Sequence, residues 1–306
     1  MSRARWPASG WAWLASLAVA LTAALPLAAQ AEPVTVTDDT GHTVTLSAPP
    51  RRIASLAPHA TELLYAIGAG PQIVAALASD HPAAARQLPS AGDYRNIDLE
   101  RLRSLGVDLV IAWGSGSPAA QLDRLRELGM AVYVSEPKTF EQVATSLERI
   151  GRLTGHESSG ADAAAAFRSR TQSLADRYGQ RRNVRVFYQV WDKPVMTVNG
   201  EQVISSAMKL CGASNVFAAL PVLAPTVDVE AVIAADPELI LTTAAPGGEL
   251  ARLDSWLRYR TIAAVRNRQL ATLSPDLLVR MGPRLVDGAQ ELCEKIDQAR
   301  QQRDGR

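Results

Sequence analysis

DLERLRSLGVDLVI, residues 98–111, and DVEAVIAADPELIL, residues 228–241, are two copies of one pattern set 130 positions apart. Each copy has an acidic N-cap, a glutamate in the first helical turn, a short amphipathic helix and then a buried strand. Glu100 and Glu230 occupy the same position in the two copies. The duplication predicts two similar α/β lobes that each present one acidic point. This arrangement favours a two-lobed binding protein that docks on a pseudo-symmetric partner over an enzyme.

The paired glutamates also have a local explanation. A glutamate in a first turn stabilises the helix dipole by roughly 0.3–1 kcal/mol without any partner. Asp98 and Asp228 already serve as caps, however, so the shared register of Glu100 and Glu230 favours docking. Rim charges of this kind set the orientation and rate of association more than the affinity.

The rest of the chain alternates between short predicted strands and helices. Strands are predicted at 53–56, 73–77, 107–113, 131–135, 184–190, 238–242 and 269–273, after a hairpin within 34–46. Helices are predicted at 60–67, 99–105, 119–128, 140–153, 161–178, 203–210, 229–235, 250–257 and 284–301. This alternation indicates mostly parallel sheets covered on both faces.

One predicted helix separates the two halves. A polar break at 155–160 precedes an amphipathic helix over 161–178, and no strand follows it directly. The fold class predicted is therefore α/β, with two Rossmann-like lobes of mostly parallel sheet joined by one long backbone helix. The N-terminal lobe spans 32–158, the connecting helix 159–182 and the C-terminal lobe 183–306. The alternative is an ordinary crossover helix within one sheet.

Residues 1–31 have the features of a secretory signal. Arg3 and Arg5 form the charged start, an apolar stretch covers 11–27, and Ala29-Gln30-Ala31 is a small-x-small cleavage site. The alternative is a membrane anchor, but the apolar core is short and Pro26 interrupts it. We expect removal of the signal and export to the periplasm.

Charge and length limit the classes of function and the number of domains that are possible. The 32 Lys and Arg residues fall to 30 without the signal, against 31 Asp and Glu, so the mature chain is nearly neutral. A chain without a strong field is a poor candidate for binding nucleic acid or an anionic membrane. The remaining 275 residues suit one large domain or two medium domains, and we expect a monomer.

Cys211 and Cys293 are the only cysteines, and both lie in the C-terminal half. An even pair in an exported protein favours a disulfide, which closes a loop of 82 residues here. Two buried free thiols are the alternative.

Enzyme motifs are missing from the sequence. It contains no glycine-rich phosphate loop with lysine, no dinucleotide fingerprint and no nucleophile elbow. The four histidines are scattered without metal-ligand spacing. A hydrolase whose triad leaves no local motif stays open, because triad residues need not be close in sequence.

Aromatic residues mark the predicted strand ends. Trp113 ends one strand and Trp191 follows another, one in each lobe, and Tyr94 lies on the loop before the first acidic helix. Ligands of α/β sheets bind outside the carboxyl ends of the strands, so these rings are placed to face an inter-lobe cleft. A single tryptophan in such a position more often caps a core.

Several segments form a recognisable set: RIASLAPHATELL (52–64), SDHP (79–82), LERL (99–102) through DLVIAW (108–113), RVFYQ (185–189), CGASNVF (211–217) and the last helix. Together they resemble one family, the periplasmic vitamin B12 (cobalamin)-binding proteins of ABC importers. The Ser-x-x-Pro-x-x-Thr-Glu element within the first segment is shared with haem- and siderophore-binding relatives. The Ile-Ala-Trp end and the cysteine pair resemble the cobalamin binders more narrowly.

The resemblance implies a corrinoid held in the cleft, and it assigns roles to individual residues. Trp113 matches an aromatic that packs on the ligand, and Tyr94 stands where the family often has tryptophan. Asp276 and Arg280 match polar positions near the ligand. Glu100 and Glu230 match glutamates that each meet arginines on one permease subunit, and Cys211 and Cys293 match the family disulfide.

The chain also departs from the family at particular positions. Ala224 stands where a second-lobe tryptophan is expected, and Ala78 stands where an aromatic sometimes precedes the Ser-Asp pair. His59 is placed either to approach the cobalt or a haem iron, or to border the cleft without coordinating.

These observations predict a periplasmic binding protein that captures cobalamin and delivers it, without chemical change, to the permease of an ABC importer. We expect no catalytic residue, no resident metal and no cofactor beyond the transported cobalamin. The expected ligand-binding residues are Pro58, His59, Asp80, Tyr94, Trp113, Trp191, Asp276 and Arg280. The alternatives are a haem or ferric-siderophore binding protein of the same superfamily and, in a different class, a periplasmic enzyme.

Overall fold

The computed structural model of the chain describes Met1 and residues 32–77, 82–93, 96–244 and 253–304. The predicted signal, Met1 apart, lies outside these ranges. Within the described residues, no helix combines the length and the apolar character that crossing a membrane requires.

The N-terminal lobe begins with a hairpin and continues as alternating strands and helices. Its elements are β1 (Val34–Thr37), β2 (Thr43–Leu46), β3 (Ile53–Ser55), α1 (Pro58–Ala66), β4 (Ile73–Ala76), α2 (Leu99–Ser104), β5 (Leu109–Trp113), α3 (Ala119–Glu127), β6 (Ala131–Ser135) and α4 (Phe140–Thr154). A long helix, α5 (Glu157–Tyr178), follows.

The C-terminal lobe repeats the alternation with one extra hairpin. Its elements are β7 (Val184–Gln189), β8 (Trp191–Asp192), β9 (Val195–Met196), α6 (Val203–Leu210), β10 (Ala213–Asn215), α7 (Val229–Ala235), β11 (Leu239–Thr243), α8 (Ala263–Arg266), β12 (Leu270–Leu273) and α9 (Leu285–Asp304). The 3-10 helix Asp254–Arg258 overlaps the helix predicted at 250–257, of which residues 250–252 lie outside the described ranges.

The two main sheets have the same topology. Strand order is β4-β3-β5-β6 in the first and β10-β7-β11-β12 in the second, and every described pairing in both is parallel. In each lobe the first strand lies between the second and the third. Such an order creates a topological switch point, where ligands bind outside the carboxyl ends of the strands. The predicted fold class is confirmed.

The duplicated pattern occupies the same place in both lobes. Its two copies form α2 with β5 and α7 with β11, and β5 and β11 are each the third strand of their sheet. The Asp98 carboxylate caps α2 by accepting a 2.9 Å hydrogen bond from the Arg101 N–H. Asp228 holds the matching N-cap position, but its side chain accepts no such bond from the described residues.

The connecting helix begins earlier than predicted, because residues 155–160 are not a loop. Helix α4 ends at Gly155 in the left-handed conformation (φ 80°), and α5 begins two residues later. Gly160 lies inside α5, where an added Cβ would stand 2.7 Å from the carbonyl oxygen of Leu147 in α4. This glycine therefore serves close helix packing rather than a break. The division of the chain at residues 158 and 183 stays a prediction.

Helix α5 packs against both lobes. Its Phe167 ring stacks on Phe140 of α4 at 5.9 Å between centroids, and Arg168 pairs with Glu141 of α4 at 2.6 Å. On the other side Arg170 pairs with Asp287 of α9 at 2.5 Å. One buried apolar cluster runs from the first sheet through α4 and α5 to the second sheet. The lobes thus share a continuous core.

Cys211, directly after α6, and Cys293, in α9, form the predicted disulfide. Both residues are fully buried, and the bond ties α6 to the last helix across 82 positions of sequence. The two-free-thiol alternative is therefore wrong.

Candidate functional site

A cavity of about 210 Å³ lies between the two sheets, at the carboxyl ends of their strands. The N-terminal lobe lines it with residues at or just after the ends of β5 and β6: Trp113, Ser115, Glu136, Pro137 and Lys138. The C-terminal lobe contributes a mostly apolar wall: Tyr188, Val190, Val198, Val203, Ile204, Leu223, Ala224, Val279 and Met281, together with Glu201, Gln202 and Thr243. The carboxyl ends of strands from both sheets therefore line one site.

Trp113 is the one predicted ligand residue among the described residues that line this cavity. It ends β5 and is half-buried, and its carbonyl accepts a 3.0 Å hydrogen bond from the Ser117 N–H. The loop that follows leaves no room for a side chain at Gly116, because a Cβ there would overlap the indole ring. The loop backbone thus supports the ring from one side.

Glu136 holds the loop after Trp113. It follows β6 directly and accepts hydrogen bonds from the Ser115 N–H at 2.6 Å and from the Ser115 hydroxyl at 3.1 Å. The Glu136 N–H donates to Asp39 at 2.7 Å, and Asp39 pairs with Arg149 at 3.1 Å. Burial raises the pKa of Asp39, and the hydrogen bond from the Glu136 N–H and the charge of Arg149 partly offset this increase. The N-terminal hairpin is thereby linked to the cleft wall.

His59 lies inside α1 rather than on a cleft loop, and it is 3% exposed. Its Nε2 is 3.1 Å from the hydroxyl of Ser135, and its ring meets Trp113 edge-on at 6.0 Å between centroids. Burial lowers the pKa of His59 to about 4, so the imidazole is neutral at pH 7. Pro58 is half-buried at the first position of α1. The geometry favours a supporting role for His59 behind Trp113, and ligand contact by either residue stays a prediction.

Asp276 and Arg280 lie together on the loop between β12 and α9. Arg280 Nη2 is 3.3 Å from Asp276 Oδ1, and Arg280 Nη1 is 3.6 Å from Glu62 Oε1 of the other lobe. Asp276 has a left-handed backbone (φ 73°), which aspartate tolerates better than most residues. The loop therefore brings the two predicted polar residues to the lobe interface.

Trp191 does not match Trp113, contrary to the expectation from sequence. It lies in β8, after the first strand of its sheet, whereas Trp113 ends the third strand. Trp191 is 51% exposed, and its Nε1 donates a 3.1 Å hydrogen bond to the Lys193 carbonyl. The register of the duplicated pattern instead pairs Trp113 with Thr243, which lines the cavity.

Asp80 and Tyr94, the other two predicted ligand residues, lie outside the described residues, as does Ala78. Within the described ranges no cluster of His, Cys, Asp and Glu is able to hold a metal ion.

Glu100 and Glu230 are both exposed in the first turns of α2 and α7. A helix that leads into a parallel strand runs opposite to that strand, so its N-terminus lies at the edge where the strands end. Both glutamates are thus at the cleft side of their lobes. Neither pairs with a basic group among the described residues, so both are available to a partner.

Position at a strand end identifies the cavity residues that motif reasoning missed. Glu136 follows β6, Val190 follows β7 and Thr243 ends β11. The same strand-end rule that selects Trp113 selects these three residues, although none of them is aromatic.

Comparison with known proteins shows which family this chain belongs to. The model of the periplasmic binding protein family matches residues 53–277. The chain belongs to the periplasmic binding protein family. The match runs from β3 to the loop after β12 and includes every residue that lines the cavity except Val279 and Met281.

Individual members of this family are also similar. The chain is 35% identical over 257 residues to a vitamin B12-binding protein of Vibrio parahaemolyticus. The aligned residues are 83% of this chain and 92% of the relative. The crystal structure of the periplasmic vitamin B12-binding protein of Vibrio cholerae superposes with a TM-score of 0.75 at 35% identity, over 82% of this chain and 98% of that one.

A haem-binding periplasmic protein of Vibrio cholerae superposes with a TM-score of 0.70 at 22% identity, over 79% of this chain and 97% of that one. At this level of identity the likeness concerns the fold alone. The family expected from the sequence motifs is confirmed.

Proposed function

We propose that this periplasmic binding protein captures cobalamin in the inter-lobe cleft and delivers it to an ABC importer. The observation that carries the proposal is the 35% identity to a vitamin B12-binding protein over 92% of that relative. Haem-binding neighbours share the fold at lower identity.

The chemistry of the cleft suits a flat ligand with an apolar face and a polar rim. Trp113 on one side and Val190, Val198 and Met281 on the other offer aromatic and apolar surface for the face of a corrin ring. Asp276 and Arg280 are charged groups near this surface that would bind the peripheral amides. Sites for organic ligands commonly combine an apolar lining with a few polar groups of this kind.

The size of the cavity adds a constraint. Its volume of about 210 Å³ is below the roughly 300–1,000 Å³ usual for small-molecule pockets, and cobalamin is larger than most small molecules. The ligand would therefore lie mainly in the open mouth of the cleft, with one edge in the cavity. In that position it would contact Trp191 as well as Trp113, while contact with Asp80 and Tyr94 stays a prediction from the sequence.

The haem alternative is weakened by the environment of His59. That side chain is the iron ligand which the alternative requires, but it is buried in α1 and its Nε2 is 3.1 Å from the Ser135 hydroxyl. An iron bound at Nε2 would have to replace this contact.

We propose further that the protein acts by binding and release, without turnover and without a cofactor. In this account the chain works in the periplasm after its signal is removed, as a monomer. Glu100 and Glu230 would dock on the two permease subunits from the open side of the cleft.

Competitive equilibrium dialysis tests the ligand class. Protein at one concentration is dialysed against an equimolar mixture of cyanocobalamin, haem and a ferric hydroxamate, and the bound fraction is read from the absorbance of each. We expect cyanocobalamin to be retained in preference to the other two. Preferential retention of haem or of the ferric hydroxamate would contradict the proposal.

A further inference from the structure

The turn between β3 and α1 is locked by its own hydroxyls. Ser55 Oγ and Thr61 Oγ1 are 2.8 Å apart, and the Thr61 hydroxyl donates to the Ala57 carbonyl at 3.2 Å. Pro58 begins the helix, where its missing N–H costs nothing. Glu62 directly follows Thr61, so this turn sets the direction in which the Glu62 side chain projects.

Glu62 reaches out of the N-terminal lobe to two arginines of the C-terminal lobe. Its Oε1 accepts a 2.8 Å hydrogen bond from Arg284 Nη2 and lies 3.6 Å from Arg280 Nη1. The loop carrying the arginines passes close by, since a Cβ added to Gly282 would stand 2.8 Å from Glu62 Oε2. The Glu62 side chain is only 3% exposed, and burying a carboxylate costs free energy unless it is paired.

Exposure separates Glu62 from the groups that a ligand is able to reach. The Asp276 side chain is 43% exposed, whereas Glu62 is covered by the arginines. Arg280 lies between these two carboxylates, at 3.6 Å from Glu62 and 3.3 Å from Asp276. A ligand in the cleft would thus meet Asp276 and Arg280, while Glu62 holds Arg280 from behind.

We propose that Glu62 is a positioning residue for ligand binding, which acts through Arg280 without touching the ligand. Arg284 fixes the Glu62 carboxylate, and that carboxylate fixes the guanidinium of Arg280 beside Asp276. The affinity of the cleft therefore depends on a residue of the opposite lobe. This inference rests on the proposed function, because it takes cobalamin as the ligand.

A double-mutant cycle in ligand affinity tests this coupling. The dissociation constant for cyanocobalamin is measured for the wild type, Glu62→Gln, Arg280→Gln and the double variant. We expect Glu62→Gln to weaken binding on the order of tenfold in the wild-type background, and to have almost no effect once Arg280 is glutamine. Thermal unfolding of all four proteins reports any loss of stability separately.

The conservative variant Glu62→Asp covers the case in which Glu62→Gln does not fold. It keeps the charge but withdraws the carboxylate from Arg280, so it too should weaken binding only when Arg280 is present. Glu127→Gln, which removes an exposed ion pair with Arg124 on α3, is the matched control and should bind as the wild type does.

The outcomes are distinct. Equal losses from the Glu62 variants in both backgrounds, or wild-type affinity in Glu62→Gln, would overturn the positioning role. Failure of the wild-type protein to bind cyanocobalamin would overturn the proposed function instead.

Discussion

Arg284 Nη2 donates a 2.8 Å hydrogen bond to Glu62 Oε1 and so joins helix α1 of one lobe to the loop before α9 of the other. The two residues are 222 positions apart in the sequence. This bond lies at the lobe interface beside Arg280 and Asp276, while α5 and its shared core connect the lobes elsewhere. The relative orientation of the lobes is therefore fixed at more than one place.

Lobe closure on ligand binding should be small. The apolar core continues through α5, and motion about a packed helix is more restricted than motion about flexible strands. We expect the radius of gyration from small-angle scattering to be the same, within error, with and without cyanocobalamin. A clear compaction on adding ligand would contradict this expectation.

Replacing Trp113 with alanine should weaken cyanocobalamin binding by about 1.5–3 kcal/mol, or roughly 10–150-fold, because a ring that packs on the ligand is removed. The measurement is an affinity titration by absorbance. Trp191→Ala is the comparison, and its effect should be smaller because that residue does not line the cavity. A larger loss in Trp191→Ala would place the main stacking surface on the other lobe.

Reversing the charge of Glu100 and Glu230 together should abolish transport and leave ligand affinity intact. Both side chains are exposed and lie on the cleft side of their lobes, so lysine at either position would repel a basic permease surface. Uptake of labelled cobalamin and the dissociation constant are measured on the same variants. Glu127→Lys, on the surface of α3, is the control with the same change of charge at a single site. A loss of affinity in the double variant would show that these glutamates serve the ligand site.

Stability should depend on pH through His59. Its pKa falls from 6.5 to about 4 in the folded protein, so between these values the unfolded chain binds a proton that the folded protein does not. The free energy of unfolding should therefore decrease as the pH falls from 6.5 to 4, by about 3 kcal/mol at the lower end. Urea unfolding at several pH values measures this slope.

His59→Gln should flatten the slope, since glutamine does not titrate. His42→Gln, at an exposed position of the N-terminal hairpin, is the matched control and should retain it. An unchanged slope in His59→Gln would assign the pH dependence to other groups.

Local sequence patterns predicted the parts of the fold that depend on short-range order. The copies at 98–111 and 228–241 became α2 with β5 and α7 with β11, and Trp113 ends β5 and lines the cavity. The strand β10 was missed because its residues, Ala213–Asn215, lack the apolar and β-branched character typical of strands. Gly160 was interpreted as a break because its role depends on a neighbouring helix.

The candidate site was only partly predictable from the sequence, because several of its features depend on contacts between distant segments. Thr243 occupies the position in the second copy that matches Trp113. Because threonine is not aromatic, the sequence pattern pointed to Trp191 as the counterpart instead. Periodicity also does not reveal that Glu62 meets arginines 218 and 222 positions later, since such contacts depend on how the lobes pack. His59 was expected to precede a helix predicted to begin at residue 60, whereas it lies inside α1, which begins at Pro58.

Calorimetric titration of the mature protein with cyanocobalamin tests the central claim most directly. We predict tight binding of one cobalamin per chain, and weaker binding when Trp113 is replaced by alanine. The absence of cyanocobalamin binding by protein that is folded and carries its Cys211–Cys293 disulfide would contradict the account.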